Sequence, residues 1–221
     1  LSASEMLGQI YAIEKDTGER VSHVVVMGSG EPLDNLDNLI RFLRLVSDEE
    51  GAAIGQRNIT VSTCGLVPEI YRLAEERFQI TLALSLHAPE DALRKTMMPI
   101  ANRYTIREAL DACDAYFGAT GRRISYEYSL VRGVNDRPGQ AQQLAALLRG
   151  RNCHVNLIPV NPIRERNYRE TKGPEVQQFK KELEKSGIHV TIRRRLGADI
   201  DSACGQLRRR IQQEEGREGA E

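Results

Sequence analysis

The residue best suited to covalent chemistry lies near the end of the chain, where a cysteine follows a cationic run. Cys204 precedes Gly205 in the segment GADIDSACGQL, and three consecutive arginines occupy positions 193–195. Nearby positive charge lowers the pKa of a thiol, and the thiolate is the nucleophilic form. Cys204 is therefore a candidate nucleophile, although its residue pattern alone favours a small buried hydrophobic side chain.

A second candidate is a glycine-rich turn that ends in a carboxylate. Residues 28–32 read Gly-Ser-Gly-Glu-Pro. Gly30 would let the backbone approach a ligand closely, and Glu31 could hold an amino group through charge-assisted hydrogen bonds. The turn lacks the full spacing of a dinucleotide or phosphate-binding fingerprint. Taken alone, the pattern favours a glycine turn with a solvated glutamate.

Three further motifs place polar side chains directly after short apolar runs. Ser62, in Ser-Thr-Cys-Gly, could bond a ligand carboxylate or ribose, or simply cap a helix. The motif Ser-Leu-His-Ala-Pro contains Ser85 and His87, and a histidine there is a candidate general acid or hydrogen-bond donor as well as an ordinary loop histidine. Asn161, which precedes a proline, could bind a ligand or initiate a turn.

The elements that must position these residues alternate between helix and strand. Capping boxes begin helices after Ser2 and after Thr105, and helical spacing of apolar residues predicts further helices. Those further helices cover 36–46, 68–76, 137–148 and 175–186. Apolar and β-branched runs predict six strands, at 23–27, 59–62, 80–86, 123–131, 154–159 and 188–193. One long connection, 88–104, carries no predicted element.

This alternation predicts an α/β fold with a parallel sheet and outer helices. About six strands are too few for a closed eight-stranded barrel and fit a partial one. Ligands of such folds bind at the carboxyl ends of the strands, which is where the motifs above lie. A leading helix without a strand before it suggests that a first strand is missing.

Composition narrows the class of protein. Of the 221 residues, 40% are hydrophobic and 28% charged, which is typical of a globular domain. The net charge is zero, so RNA binding would have to rest on local clusters rather than on overall basicity. No apolar run approaches a membrane span, and no signal peptide is apparent, so we expect a cytoplasmic protein with no membrane contact.

Domain organisation follows from the same patterns. We expect one catalytic domain over residues 1–208 and a charged, disordered tail over residues 209–221. The other three cysteines (Cys64, Cys113, Cys153) have neither metal-ligand spacing nor a disulfide framework, which predicts reduced thiols.

Together and in this order, the motifs GxGEP, STxG, SLHAP, NLIPxNP and GxDIDxACGQL resemble the RlmN/Cfr family of radical SAM methyltransferases, over about residues 1–210. The last motif is the most specific. The resemblance implies a partial parallel (β/α) barrel of the radical SAM type, which binds S-adenosylmethionine (SAM) at its mouth. The residues that it implies as SAM contacts are Gly30, Glu31, Ser62, Ser85, Leu86, His87 and Asn161.

The resemblance also implies a reaction, radical methylation of C2 of an adenine in 23S rRNA and tRNA. C2 lies between two nitrogens and is electron-poor, so it cannot attack the SAM methyl group. In the family, a cysteine matching Cys204 is methylated by one SAM, and a second SAM is cleaved at a [4Fe-4S] cluster. The radical so formed activates the S-methyl group, whose carbon adds to C2, and a second cysteine releases the product by forming a disulfide. The family implies an external electron donor, and we expect a monomer.

One departure from the family concerns the cluster. The CxxxCxxC motif that binds it is absent from this sequence. We therefore expect a fragment that lacks the first strand, the cluster loop, the resolving cysteine and the small N-terminal domain that helps hold RNA, and that is inactive alone. No metal ligand is predicted within the chain.

Several alternatives stay open. The C8-methylating branch of the family shares every motif, whereas a radical SAM enzyme with another substrate is disfavoured by the segment around Cys204. A degenerate SAM-binding or RNA-binding module without catalysis is the alternative that is not an enzyme. Basic clusters within 164–172, 193–195 and 208–210 could bind phosphates or be solvated arginines.

Overall fold

Strands and helices alternate along the chain, as the apolar pattern predicts. The computed structural model describes residues 1–28, 30–160 and 168–193. The strands are β1 (Val24–Val26), β2 (Ile59–Thr63), β3 (Thr81–Ser85), β4 (Ile124–Leu130), β5 (Cys153–Pro159) and β6 (His189–Ile192). The helices are α1 (Ala3–Thr17), α2 (Leu36–Val46), α3 (Val67–Glu75), α4 (Asp91–Met97), α5 (Ile106–Thr120), α6 (Pro138–Leu148) and α7 (Gly173–Glu184).

The strands form one parallel sheet in which each strand pairs with its neighbour in sequence, in the order β1-β2-β3-β4-β5-β6. Since every pairing is parallel, all six strands present their carboxyl ends at the same edge. The partial α/β barrel predicted from the sequence is confirmed. We call this edge, with the loops that follow the strands, the mouth.

The two predicted capping boxes are present and fix the starts of α1 and α5. At α1 the Ser2 backbone N–H donates to Glu5 Oε2 at 2.7 Å, and the Glu5 N–H donates to Ser2 Oγ at 3.2 Å. Thr105 and Glu108 make the same reciprocal pair at 2.8 and 3.2 Å. Each pair satisfies amide groups that the first helical turn leaves without partners.

The sheet has one apolar face and one polar face. Alternate residues such as Val61, Leu84, Tyr126 and Leu157 are fully or almost fully buried in the core beneath the helices. The intervening residues point the opposite way, because successive side chains of a strand alternate between faces. We call this second face the inner face. It is predominantly polar, and on β1 it includes Val25, which is 57% exposed.

The connection at 88–104 differs from the prediction, because it contains α4 and a short 3-10 helix, Pro99–Asn102. Asp91 closes this connection by accepting a hydrogen bond from the Ile106 N–H at 2.7 Å. The inward residue of α4 is Arg94, which is fully buried. Since a charged residue occupies the position that an apolar one would mark, the periodicity did not reveal the helix.

Within the described ranges, none of the helices is both long and apolar enough to cross a bilayer.

Candidate functional site at the mouth of the barrel

Two rows of side chains cross the inner face below the mouth. Strand pairing places Ser62, Ala83, Ser125, His154 and His189 side by side from β2 to β6. The next row, nearer the mouth, runs Ser85, Glu127, Asn156 and Thr191 from β3 to β6. A sheet that carries such rows on one face and a continuous core on the other is suited to binding a polar ligand.

Glu31 ties the first two strand-end loops together. Its Oε1 accepts the Leu33 N–H at 3.1 Å, and its Oε2 accepts the Cys64 N–H at 2.7 Å. Gly30, just before it, has a φ of +98°, a backbone conformation that L side chains rarely adopt. The carboxylate is therefore held at the mouth by backbone donors, with lone pairs left over for a ligand donor.

Cys64 is unsuited to nucleophilic chemistry. Burial, together with the adjacent Glu31 carboxylate, raises the pKa of its thiol to about 12. It therefore stays protonated near neutral pH, where a nucleophilic cysteine needs its thiolate. Cys64, Cys113 and Cys153 are all free thiols, as predicted.

His87 is locked in one orientation and one protonation state. Its backbone adopts a φ of +57°, and its ring Nδ1 accepts the Ser129 N–H at 3.0 Å. The neutral ring must then carry its proton on Nε2. Burial and the Arg94 cation lower the pKa of His87 to about 4, so the ring is neutral at physiological pH. His87 thus offers an Nε2–H donor rather than a charge.

Asn135 holds the loop that carries His87. It is fully buried, and its Nδ2 donates to the carbonyl oxygens of His87 at 2.8 Å and Ser129 at 2.6 Å. Its Oδ1 accepts the Val131 N–H at 2.7 Å, and its own carbonyl accepts the Tyr128 hydroxyl at 2.9 Å. One asparagine therefore joins the ends of β3 and β4.

Arg94 holds the loops that follow β2 and β3. Its Nη2 donates to the carbonyl oxygens of Cys64 at 2.8 Å and Ser85 at 3.2 Å, and its Nε donates to that of Leu86 at 3.1 Å. Among the described residues it forms no ion pair with a carboxylate. The buried guanidinium is therefore stabilised by carbonyl dipoles that belong to two motifs predicted to bind SAM.

The remaining predicted contacts divide into inner-face and core residues. Ser62 is buried in the inner-face row on β2, and Ser85 is partly exposed at the end of β3. Leu86 packs in the core, its N–H donates to the Glu127 carbonyl at 3.0 Å, and its carbonyl is taken by Arg94. Its role as a ligand contact stays a prediction, and its visible role is to anchor the loop.

Two predicted site residues lie outside the described residues. Asn161 falls between residues 160 and 168, and Cys204 lies beyond residue 193. The proposed tail, 209–221, and most of the basic clusters fall there as well. Within the described ranges, no three histidine, cysteine or acidic residues are grouped as a metal site.

Sequence reasoning missed three polar residues of the mouth, Glu127, Asn135 and Arg94. A usable signal existed for Glu127, because Ser125, Glu127 and Ser129 repeat every second residue within the strand ISYEYSL and so predict a polar strand face. Burial raises the pKa of Glu127, while Asn156, Ser125 and the Arg193 charge act in the opposite direction. No comparable signal marks Arg94 or Asn135.

Comparison with known proteins identifies the family. The model of the radical SAM superfamily matches residues 6–145. This chain belongs to the radical SAM superfamily. A relative from Lachnospira eligens, a probable dual-specificity RNA methyltransferase RlmN, is 64% identical over 97% of this chain and 61% of its own length. A protein of the same name from Lachnoclostridium phytofermentans is 59% identical over 95% of this chain and 59% of its own length.

Solved structures support the same fold. A radical SAM methyltransferase from Sphaerobacter thermophilus superposes with a TM-score of 0.89 at 46% identity, covering 93% of this chain and 61% of that one. Streptococcus suis SuiB bound to S-adenosylmethionine matches with a TM-score of 0.63 at 14% identity, which supports the fold alone. This radical SAM chain spans about three fifths of the length of the curated relatives that it matches.

Membership of the superfamily implies SAM and a [4Fe-4S] cluster, and the chain fits the two differently. The polar inner face, the Glu31 carboxylate and the Nε2–H of His87 form a set of donors and acceptors that fits a nucleoside bearing an amino acid. A cluster needs closely spaced thiolates, whereas the four cysteines of this chain lie far apart in sequence and Cys64 is a protonated thiol. The residues of this chain do not furnish a cluster site.

Proposed function

We propose that this chain is the SAM-binding and catalytic part of an RNA methyltransferase that modifies an adenine base. The observation that carries the proposal is a 64% identity to a probable dual-specificity RNA methyltransferase over 97% of the chain. The mouth supports it, since Glu31, Ser62, Ser85 and His87 lie on neighbouring strand ends at one edge of the sheet.

The residues of the mouth would bind and orient SAM. Glu31, held by two backbone amides, accepts hydrogen bonds from the methionine ammonium group, with Gly30 giving the backbone room to approach. His87 donates from Nε2 to an acceptor of the ligand, and Ser62, Ser85 and Asn161 add polar contacts. Leu86 contributes by anchoring this loop in the core.

SAM, when bound, would supply both the transferred methyl group and, on reductive cleavage, the radical that activates it. Cys204 is proposed as the residue that carries the methyl group to C2 of adenine in 23S rRNA and tRNA. The arginines at 193–195 would favour its thiolate. To reach a barrel mouth the target adenine must leave its stack, which fits loops of folded RNA. An external electron donor, a cytoplasmic location and a monomer complete the proposal.

The C8-methylating branch of the family is the second candidate for the reaction. It shares the strand-end motifs and the segment around Cys204, so the residues described here serve either carbon equally well. A module that binds SAM or RNA without catalysis is the candidate from another class.

The test is the methylated nucleoside made by the holoenzyme, meaning the whole protein product with its cluster. RNA incubated with holoenzyme, SAM and a reductant is digested to nucleosides, and the adenosine products are separated and identified by mass and retention. 2-Methyladenosine supports the proposal, whereas 8-methyladenosine moves the protein to the other branch. Absence of any product, with SAM bound and the cluster intact, would leave the non-catalytic module. A Cys204→Ala holoenzyme is the control.

A further inference from the structure

The row of the inner face nearest the mouth contains a buried carboxylate without a charged partner. Glu127 is 6% exposed, and its Oε1 accepts hydrogen bonds from Asn156 Nδ2 at 2.8 Å and from Ser125 Oγ at 3.3 Å. Within the described chain, Oε2 accepts no hydrogen bond and Glu127 forms no ion pair. Because a buried polar atom without a partner is costly, this free oxygen points to a missing donor.

The direction of the free oxygen is fixed by the next strands. Asn156 Oδ1 accepts the hydroxyl of Thr191, which leaves the Asn156 amide N–H to face Glu127. Thus Oε1 is bound on the side of β5 and β6, while Oε2 is left for the open space of the inner face. Asn156 and Thr191 are positioning residues for this carboxylate.

The carboxylate lies directly below the loop that carries His87. The backbone oxygen of Glu127 accepts the N–H groups of Leu86 at 3.0 Å and His87 at 3.3 Å, and its Cα pairs with that of Ser85. A ligand that contacts His87 and Ser85 would therefore bring its nearest polar groups within reach of Glu127.

The chemistry around the carboxylate selects the kind of donor. Ser85, Ser125 and Asn156 are neutral, and no group of metal ligands surrounds Glu127 among the described residues. One carboxylate oxygen among neutral groups matches a neutral hydroxyl donor. Carboxylates bind ribose hydroxyls in this way in dinucleotide sites.

We propose that Glu127 binds a ribose hydroxyl through Oε2. The inference rests on the proposed function, which places a nucleoside ligand at the mouth. Two nucleosides meet there, SAM and the target adenosine of RNA, and each carries a ribose with hydroxyl donors.

The experiment removes the carboxylate and the hydroxyl separately. Dissociation constants of holoenzyme and its Glu127→Gln variant are measured without RNA for SAM and for its 2′-deoxy and 3′-deoxy analogues. We expect Glu127→Gln to weaken SAM binding by about tenfold or more, as for loss of a hydrogen bond to a charged group. The same substitution should have no effect on the analogue that lacks the bound hydroxyl.

A second arm distinguishes the RNA ribose from that of SAM. If SAM binding is unchanged, RNA substrates with and without the target 2′-hydroxyl are compared, and a KM penalty confined to the hydroxylated RNA assigns the contact to RNA. Equal weakening of every ligand, or no change in either arm, overturns the proposal. Thr191→Val is the second variant, since it frees Asn156 without touching the carboxylate and should weaken the same ligand by about two- to threefold.

Failure of this inference and failure of the proposed function give different results. A wild-type holoenzyme that does not bind SAM overturns both. A wild-type that binds SAM and methylates RNA, with an unaffected Glu127→Gln variant, overturns only the ribose contact. Thermal midpoints of both variants confirm that the measured proteins are folded.

Discussion

Acidification should destabilise the protein through His87. Burial and the Arg94 cation lower the pKa of His87 from 6.5 to about 4. The unfolded chain therefore binds this proton more readily than the folded one, so stability is unaffected above the unfolded value and falls as the pH drops from the unfolded toward the folded pKa. With about 1.4 kcal/mol per pKa unit, roughly 2 kcal/mol is lost between about pH 7.5 and pH 5.

The assay compares urea unfolding of the ligand-free protein and of His87→Asn at a series of pH values. Asparagine tolerates a positive φ, and its Oδ1 can replace Nδ1 as the acceptor for the Ser129 N–H. The difference in unfolding free energy between the two proteins should shrink by about 2 kcal/mol over that pH range. A difference that stays constant with pH would refute the reasoning, and His23→Asn, at an exposed residue, is the matched control for removing an imidazole.

Three further substitutions test the supports of the mouth by urea unfolding. Arg94→Met should cost about 3–5 kcal/mol because three carbonyls lose their donor, whereas Arg107→Met, at a side chain 91% exposed, should change stability by less than about 0.5 kcal/mol; equal effects would contradict this. Asn135→Ala should cost about 3 kcal/mol and weaken SAM binding by releasing the carbonyl of His87, and unchanged affinity would show that the loop holds itself. Gly65→Ala should cost about 1–3 kcal/mol, since φ is +105° and the new Cβ would lie 3.4 Å from Arg94 Nη2; a neutral result would mean that the loop relaxes freely.

Most of the fold could be predicted from sequence because the elements bury regular apolar faces. Leu36, Leu39, Leu43 and Val46 repeat at helical spacing and are all buried in α2. The strands are short runs that stop at glycine or proline, so their existence was evident and only their ends shifted by one or two residues. Helix α4 escaped because its inward residue is an arginine that binds carbonyls instead of packing with apolar side chains.

The site could be predicted only where it uses the mouth loops directly. Ser62, Ser85 and His87 follow strands, and parallel strands must bring such residues to one edge. Asn135 lies in a turn-like stretch, Val-Asn-Asp-Arg, and its contacts with His87 and Ser129 depend on chain folding that no local pattern records. The orientation of Glu31 toward the Cys64 backbone is likewise a tertiary fact.

The central claim is that Cys204 carries the methyl group, and its most direct test is the mass of the peptide that contains it. Holoenzyme is purified after expression with its cluster, digested, and the peptide around Cys204 is measured by mass spectrometry. The account predicts one added methyl group on Cys204, absent when the holoenzyme is made without SAM. An unmodified Cys204 in protein shown to contain both its cluster and SAM would contradict the methyl-carrier role and favour the module without catalysis.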